Sequence, residues 1–171
     1  MRMEQSDNFK FDEVNVMNEL VYRNLSEDAK RQICAWKYGG EYDLYNLPAY
    51  EEMQVRQIGF MNPQREKNYY GFWDESILVG FVNILEEKEE VFIGIGVNPD
   101  LCNKHYGQRM LLITYEISKK LYPDKPLYLE VRTWNIRAVK CYQKAGFRID
   151  GQAYELTTGI GTGTFYRMIR E

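Results

Sequence analysis

Between Leu127 and Arg132 the side chains alternate, with Leu127, Leu129 and Val131 on one side and Tyr128, Glu130 and Arg132 on the other. A period of two predicts a strand with unlike faces. From Asn135 to Ala145 the apolar positions move to helical spacing. Gly146 then stands where a helix end takes a left-handed residue, and a new apolar run opens at Phe147. The expectation is strand, short turn, helix, strand. Asn135 and Tyr142 are seven residues apart, which puts them on nearly one helical face, roughly 10 Å apart along the axis. An amide and a phenol would then overlook the same groove.

A second apolar run, Glu90 to Val97, reads as a buried strand stopped by Asn98-Pro99. The stretch from Asp100 to Leu112 that follows it is a loop running into a strongly apolar helix. Strand, loop, helix is a layout in which the free N–H groups of a helix start bind an anion. Gly94 and Gly96 weaken this strand, so they point to a bulge, to close backbone approach by something else, or to room for an aromatic such as Phe92 or Trp73.

The rest of the chain follows the same signals. Val21 to Arg23 reads as a short strand, and Ser26 caps a helix reaching Trp36. A tyrosine-rich stretch runs from Tyr38 to Tyr50, with Pro48 opening a second helix to about Gln57. Tyr69–Trp73 and Ile77–Leu85 form a hairpin around Asp74-Glu75, followed by a charged, solvated turn from Glu86 to Glu90. Phe147–Leu156 and Thr164–Ile169 close the sheet. Gly159 to Gly163 is a hairpin tip and not a nucleotide loop, because no helix follows it.

At 171 residues the chain has the length of one domain with a full core. The expected unit is 19–171, with Met1 to Asn18 as an arm or added helix. No apolar run reaches membrane-span length, and the polar, acidic start lacks the pattern of a signal peptide, so a cytoplasmic protein is expected. Cys34, Cys102 and Cys141 are scattered, without CxxC spacing, which indicates neither a disulfide framework nor a metal site. Each reads as a small buried hydrophobe. A net charge of −3 with no basic patch argues against nucleic acid as a partner and mildly favours a cationic one.

The matching residues Asn135, Ala138, Tyr142, Gly146 and Phe147 carry a family resemblance. They are similar to the second conserved motif of the GCN5-related N-acetyltransferases (GNAT): a strand, an Asn, an Ala three residues on, a Tyr four beyond that, then Gly-Phe. The resemblance implies an α/β (α+β) fold, a mixed and mostly antiparallel sheet of about six to seven strands with helices on both faces and a splayed parallel strand pair. It also implies acetyl-CoA as co-substrate, with Asn135 and Tyr142 beside the pantetheine arm and Tyr142 placed to protonate the departing sulfur. Ile95 and Val97 are the implied backbone contacts in the splay, with amides near Val97 polarising the carbonyl.

In the family, the loop before the first of these helices holds the pyrophosphate with its amides. It reads Arg or Gln, two residues, Gly, one residue, then Gly or Ala. Here that frame falls on Cys102, Asn103, Lys104, His105, Tyr106 and Gly107, followed by Gln108, and only Gly107 agrees. The backbone donors survive the changes, and Lys104 and Arg109 are available as cations. The replaced Arg/Gln and Gly positions motivate an alternative, a CoA-binding module with little or no catalysis.

The primary function implied is transfer of acetyl to a primary amine of a small molecule or protein by direct attack. An amine with a pKa near 10.4 must first lose a proton. Leu129-Glu130-Val131-Arg132 resembles the ribosomal-protein N-terminal acetyltransferases, in which a Glu at this spacing before the Tyr is a proposed base. That makes Glu130 the candidate base, and a surface ion pair with Arg132 or Lys125 the alternative. The implied acceptor pocket draws on Trp36, Tyr38, Tyr42, Tyr45, Tyr50 and Tyr166, whose rings can face a cation. No metal is implied, and a homodimer stays open.

Overall fold

A computed structural model describes residues 20–171; the arm expected over 1–18 lies outside them. The chain runs β1 (Val21–Asn24), α1 (Glu27–Ala35), α2 (Tyr50–Arg56), β2 (Tyr69–Asp74), β3 (Ile77–Glu86), β4 (Val91–Val97) and α3 (Tyr106–Leu121). It continues through β5 (Leu127–Arg132), α4 (Ile136–Lys144), β6 (Arg148–Ile149), β7 (Tyr154–Thr158) and β8 (Gly161–Arg170). The strands form one mixed sheet in the order β1-β2-β3-β4-β5-β8-β6, with β7 also against β8. Every pairing is antiparallel except β4 with β5.

Helices cover both faces. Ala29 and Ile33 of α1 and Met53 of α2 pack with Phe60, Tyr69, Trp73 and Leu78 on one face. Met110 and Leu111 of α3 and Val139 of α4 pack with Val82, Ile84, Ile93, Leu129 and Val131 on the other. The period-two pattern of β5 is thus spent on two different environments. The aliphatic set meets α3 and α4, and the Tyr128, Glu130, Arg132 set faces the α1 side.

The hairpin turn falls on Glu75 and Ser76, one residue later than expected, with Glu75 at φ 52°. The second helix opens at Tyr50 with Ala49 as its cap, so Pro48 lies ahead of it, and Gln57 ends it in the left-handed region. The segment between α1 and α2 holds a 3-10 helix over Gly40–Tyr45. The run Phe147–Leu156 divides into β6 and β7 because Gly151 turns at φ 76°, and the closing set brings the sheet to eight strands. Nor is the Glu86–Glu90 turn wholly solvated. Lys125 pairs with Glu86 at 2.7 Å, and Glu90 and Asp150 bracket the Arg167 guanidinium.

Candidate functional site

The parallel pair β4–β5 holds together only at Val91–Leu127 and Phe92–Tyr128, then separates. The Val91 N–H reaches across this seam to Pro126 O at 2.9 Å. Strand alternation therefore aims the backbone groups of Ile95 and Val97 at the same side, where β5 has already diverged. These groups have no strand partner across the gap, and one of them is taken by a side chain: the Tyr38 hydroxyl donates to Val97 O at 2.6 Å. β4 has no bulge, its pairing with β3 being continuous. Gly96 makes room for the ring of Phe81, on which any side chain there would collide. The alternative of glycine making room for an aromatic thus holds at Gly96, with Phe81 as the ring in place of Phe92 or Trp73.

A cavity of about 630 Å³ passes through the gap. On the α3/α4 side its wall includes Ile95, Val97, Cys102, Asn103, His105, Tyr106, Gly107, Gln108, Asn135, Cys141 and Tyr142. Asn135 is the cap of α4 and not a residue within it. Its Oδ1 accepts from Ala138 N at 3.2 Å, and its Nδ2 donates to the Tyr45 hydroxyl at 3.3 Å. At the other end of α4, Gly146 N–H bonds to Gln143 O and Phe147 N–H to Tyr142 O, both at 3.0 Å. This Schellman closure, with Gly146 at φ 92°, fixes the turn that carries Tyr142. Burial pushes the Tyr142 phenol well above its ordinary pKa, so it is a neutral O–H donor.

The loop before α3 makes its turns at Asn103 (φ 64°) and His105 (φ 66°), conformations that favour glycine. Gly107 packs tightly, since a Cβ there would lie 3.0 Å from Cys141 Sγ on α4, which would have to give slightly. Cys102 and Cys141 both line the cavity, and burial raises both thiols; Cys34 is buried away from it.

On the opposite face, Glu130 and Arg132 of β5 share a side with their cross-strand neighbours on β8, Arg167 and Phe165, and Tyr154 of β7 stands opposite Phe165. The Tyr154 hydroxyl donates to Glu130 Oε2 at 2.6 Å. Neither partner expected for a surface Glu130 takes it. Lys125 goes to Glu86, and buried Arg132 donates to Gly161 O at 3.2 Å and Thr162 O at 3.4 Å, pinning the β7–β8 tip. The cavity thus joins a groove carrying Tyr142 to an aromatic chamber carrying Glu130.

A model of the Acetyltransferase (GNAT) family matches residues 31–147. The chain belongs to the GNAT acetyltransferase family. No curated protein matches its sequence. Among solved structures, a GNAT acetyltransferase from Bacillus anthracis is 18% identical at a TM-score of 0.70, over 88% of this chain and 93% of that one. A spermidine N-acetyltransferase SpeG chimera from Vibrio cholerae and hSSAT is 19% identical at 0.70, over 88% and 93%. AAC(6')-Ib, in complex with ribostamycin and coenzyme A, is 16% identical at 0.65, over 86% and 92%. These likenesses are of fold.

Against the GNAT motifs, several expected positions move. Lys104 is exposed and outside the cavity wall, because the left-handed turns on either side of it send its side chain to solvent. Arg109 lies against the Tyr106 ring at 5.4 Å and is also outside the wall. Tyr50 is buried in the α1/α2 core, hydrogen-bonded to Glu27, and Tyr166 packs on the α3/α4 core. Trp36, Tyr38, Tyr42 and Tyr45 do line the cavity. The sequence reading missed a basic row on α4, Arg137, Lys140 and Lys144, which lines the cavity. Its signal was present, since three cations at spacings of three and four share one helical stripe. It also missed Tyr154, which nothing in the local pattern marks as the partner of Glu130.

Among the described residues no helix is long and apolar enough to cross a membrane, and no group of three or more His, Cys, Asp or Glu is arranged to hold a metal ion.

Proposed function

We propose that this GNAT protein transfers acetyl from acetyl-CoA to a primary amine by direct attack. The observation that carries the reading is the gap beyond Phe92–Tyr128, where unpaired β4 backbone meets a neutral phenol on one side and a carboxylate on the other. The site suits the co-substrate: Ile95 and Val97 offer backbone groups to an amide-bearing arm, while the first turn of α3 and the row Arg137, Lys140 and Lys144 favour phosphates. When bound, acetyl-CoA would supply a carbonyl activated as a thioester.

Glu130, held by Tyr154, takes the proton that the acceptor ammonium must lose, directly or through a water. The freed nitrogen forms the new C–N bond as the C–S bond breaks. Backbone N–H groups near Val97 stabilise charge on the carbonyl oxygen. Tyr142 gives its proton to the leaving sulfur and regains one from solvent. Neighbours that act on a polyamine or hold an aminoglycoside support an amine acceptor in general. The test is thiol release from acetyl-CoA across a panel of amines. Acetylated product is the expected result, whereas saturable CoA binding without turnover on any amine would return the protein to the non-catalytic alternative raised by Cys102 and His105.

A further inference from the structure

We propose that the acceptor is a primary monoamine attached to an aromatic ring, not a polyamine or an aminoglycoside. The inference rests on the acetyl-transfer reading and concerns the chamber on the Glu130 side of the sheet. Phe92, Gly94 and Gly96 follow one another on that face of β4, and Phe81 fills the space over Gly96. Gly94 lines the cavity, and a Cβ there would be accommodated, in ordinary contact with Asn83 Cβ at 3.5 Å and Phe92 Cε1 at 3.7 Å. The result is a slot floored by backbone and walled by the Phe92 and Phe81 rings, with Trp36 beyond at 6.2 Å from Phe81 and Phe165 across the gap. A flat ring fits such a slot, as aromatic faces and edges pack best on one another.

Charge gives the second argument. Glu130 is the only carboxylate on the cavity wall among the described residues, while Arg132, Arg137, Lys140 and Lys144 are all basic. One ammonium finds a partner there. A second or third would lie unpaired in an apolar chamber beside Arg132. The nearby acids do not help, because Glu90 and Asp150 are engaged by Arg167, and Glu41 and Asp43 are exposed outside the wall.

The experiment measures kcat/KM with acetyl-CoA for phenethylamine, tryptamine, methylamine, spermidine and ribostamycin, on the wild type and on Gly94→Leu. Gly94 is not in a glycine-only conformation and a Cβ fits there, so the variant is expected to fold. The aryl amines should exceed spermidine and ribostamycin by about 100-fold. Gly94→Leu should remove most of that advantage while changing methylamine much less. Equal or better use of spermidine or ribostamycin overturns the inference and leaves acetyl transfer standing. An aryl preference untouched by Gly94→Leu overturns the slot. No acetylation of any amine by protein that binds CoA overturns acetyl transfer itself.

Discussion

The Tyr38 hydroxyl and the Val97 carbonyl oxygen are 2.6 Å apart, a bond from the loop after α1 to the free edge of β4. Burial pushes the Tyr38 phenol far above its ordinary pKa, so the donor keeps its proton at any physiological pH. The same residue is clamped from behind, its N–H donating to Asn46 Oδ1 at 2.6 Å and its carbonyl accepting from Asn46 Nδ2 at 3.3 Å. Residues 40–45 therefore hang between two fixed points. Tyr38→Phe should cost about 1 kcal/mol of stability and speed amide exchange across 40–45. Unchanged exchange there would mean that the bond tethers nothing.

Tyr142 has no side-chain partner of its own among the described hydrogen bonds, which suits a proton that must be delivered elsewhere. Tyr142→Phe keeps the ring and its packing but loses the proton. Turnover should fall by about 100-fold with little change in the KM for acetyl-CoA, as expected when an interaction made only in the transition state is lost. A rate equal to wild type would remove Tyr142 from the acid role.

Glu130 and Tyr154 should separate by magnitude. Glu130→Gln removes the group proposed to take the proton, and kcat/KM for the amine should fall by about 100-fold or more. Tyr154→Phe leaves the carboxylate in place but frees it to turn, so a loss of about 10-fold is expected, along with a raised amine KM. Tyr154 carries a raised phenol pKa, through burial and then through its bond to Glu130, so it does not itself compete as a base. Equal losses in the two variants would shift the base assignment away from Glu130.

Much of this site was legible because it is written in local spacing. The alternation at Leu127–Arg132, the helical register from Asn135 to Tyr142 and the Gly146 stop are short-range patterns, and the structure follows each. Even so, Asn135 caps α4 instead of lying in it. What stayed hidden is long-range. Tyr154 reaches Glu130 across 24 residues, and Tyr38 reaches Val97 across 59, through pairings that no local window contains. Tyr50 and Tyr166 show the converse failure. Composition marks a tyrosine as fit for a pocket, but only packing decides whether it lines the cavity or fills a core.

His105 sits at φ 66°, as the residue that caps α3. A non-glycine residue held there stores roughly 1 kcal/mol of strain, less for His than for a branched residue because it tolerates this region comparatively well. The loop thus keeps a glycine-like path without glycine. His105→Gly should leave the path intact, and relief of strain should roughly cancel the added freedom of the unfolded chain, for a change within about 1 kcal/mol. CoA affinity should hold or improve. A large loss of CoA affinity would instead give the imidazole a direct part in binding.

Lys30 is 2% exposed and bonds to Glu27 at 2.8 Å and Glu66 at 2.6 Å, while Glu27 also accepts from the Tyr50 hydroxyl. Burial alone would lower the Lys30 pKa, but the bonds to the two carboxylates outweigh it and the ammonium is held above its ordinary range. Glu27 is correspondingly held below its ordinary value of 4.5, first by Lys30 and then by Tyr50. Below 4.5 the unfolded chain binds a proton that the folded state resists. Stability from Glu27 is therefore full above that pH and lost as the pH falls through the folded value. Both carboxylates are more than half exposed, so the pair should contribute little at neutral pH. Lys30→Met replaces the buried ammonium by an apolar chain of similar length, and its urea stability at neutral pH should stay within about 1 kcal/mol of wild type. In acid the variant should lose stability less steeply, because the Lys30 bond and charge are gone and only the Tyr50 bond and the Arg31 charge still favour the charged Glu27. Parallel acid slopes for the two proteins would assign the loss to other carboxylates.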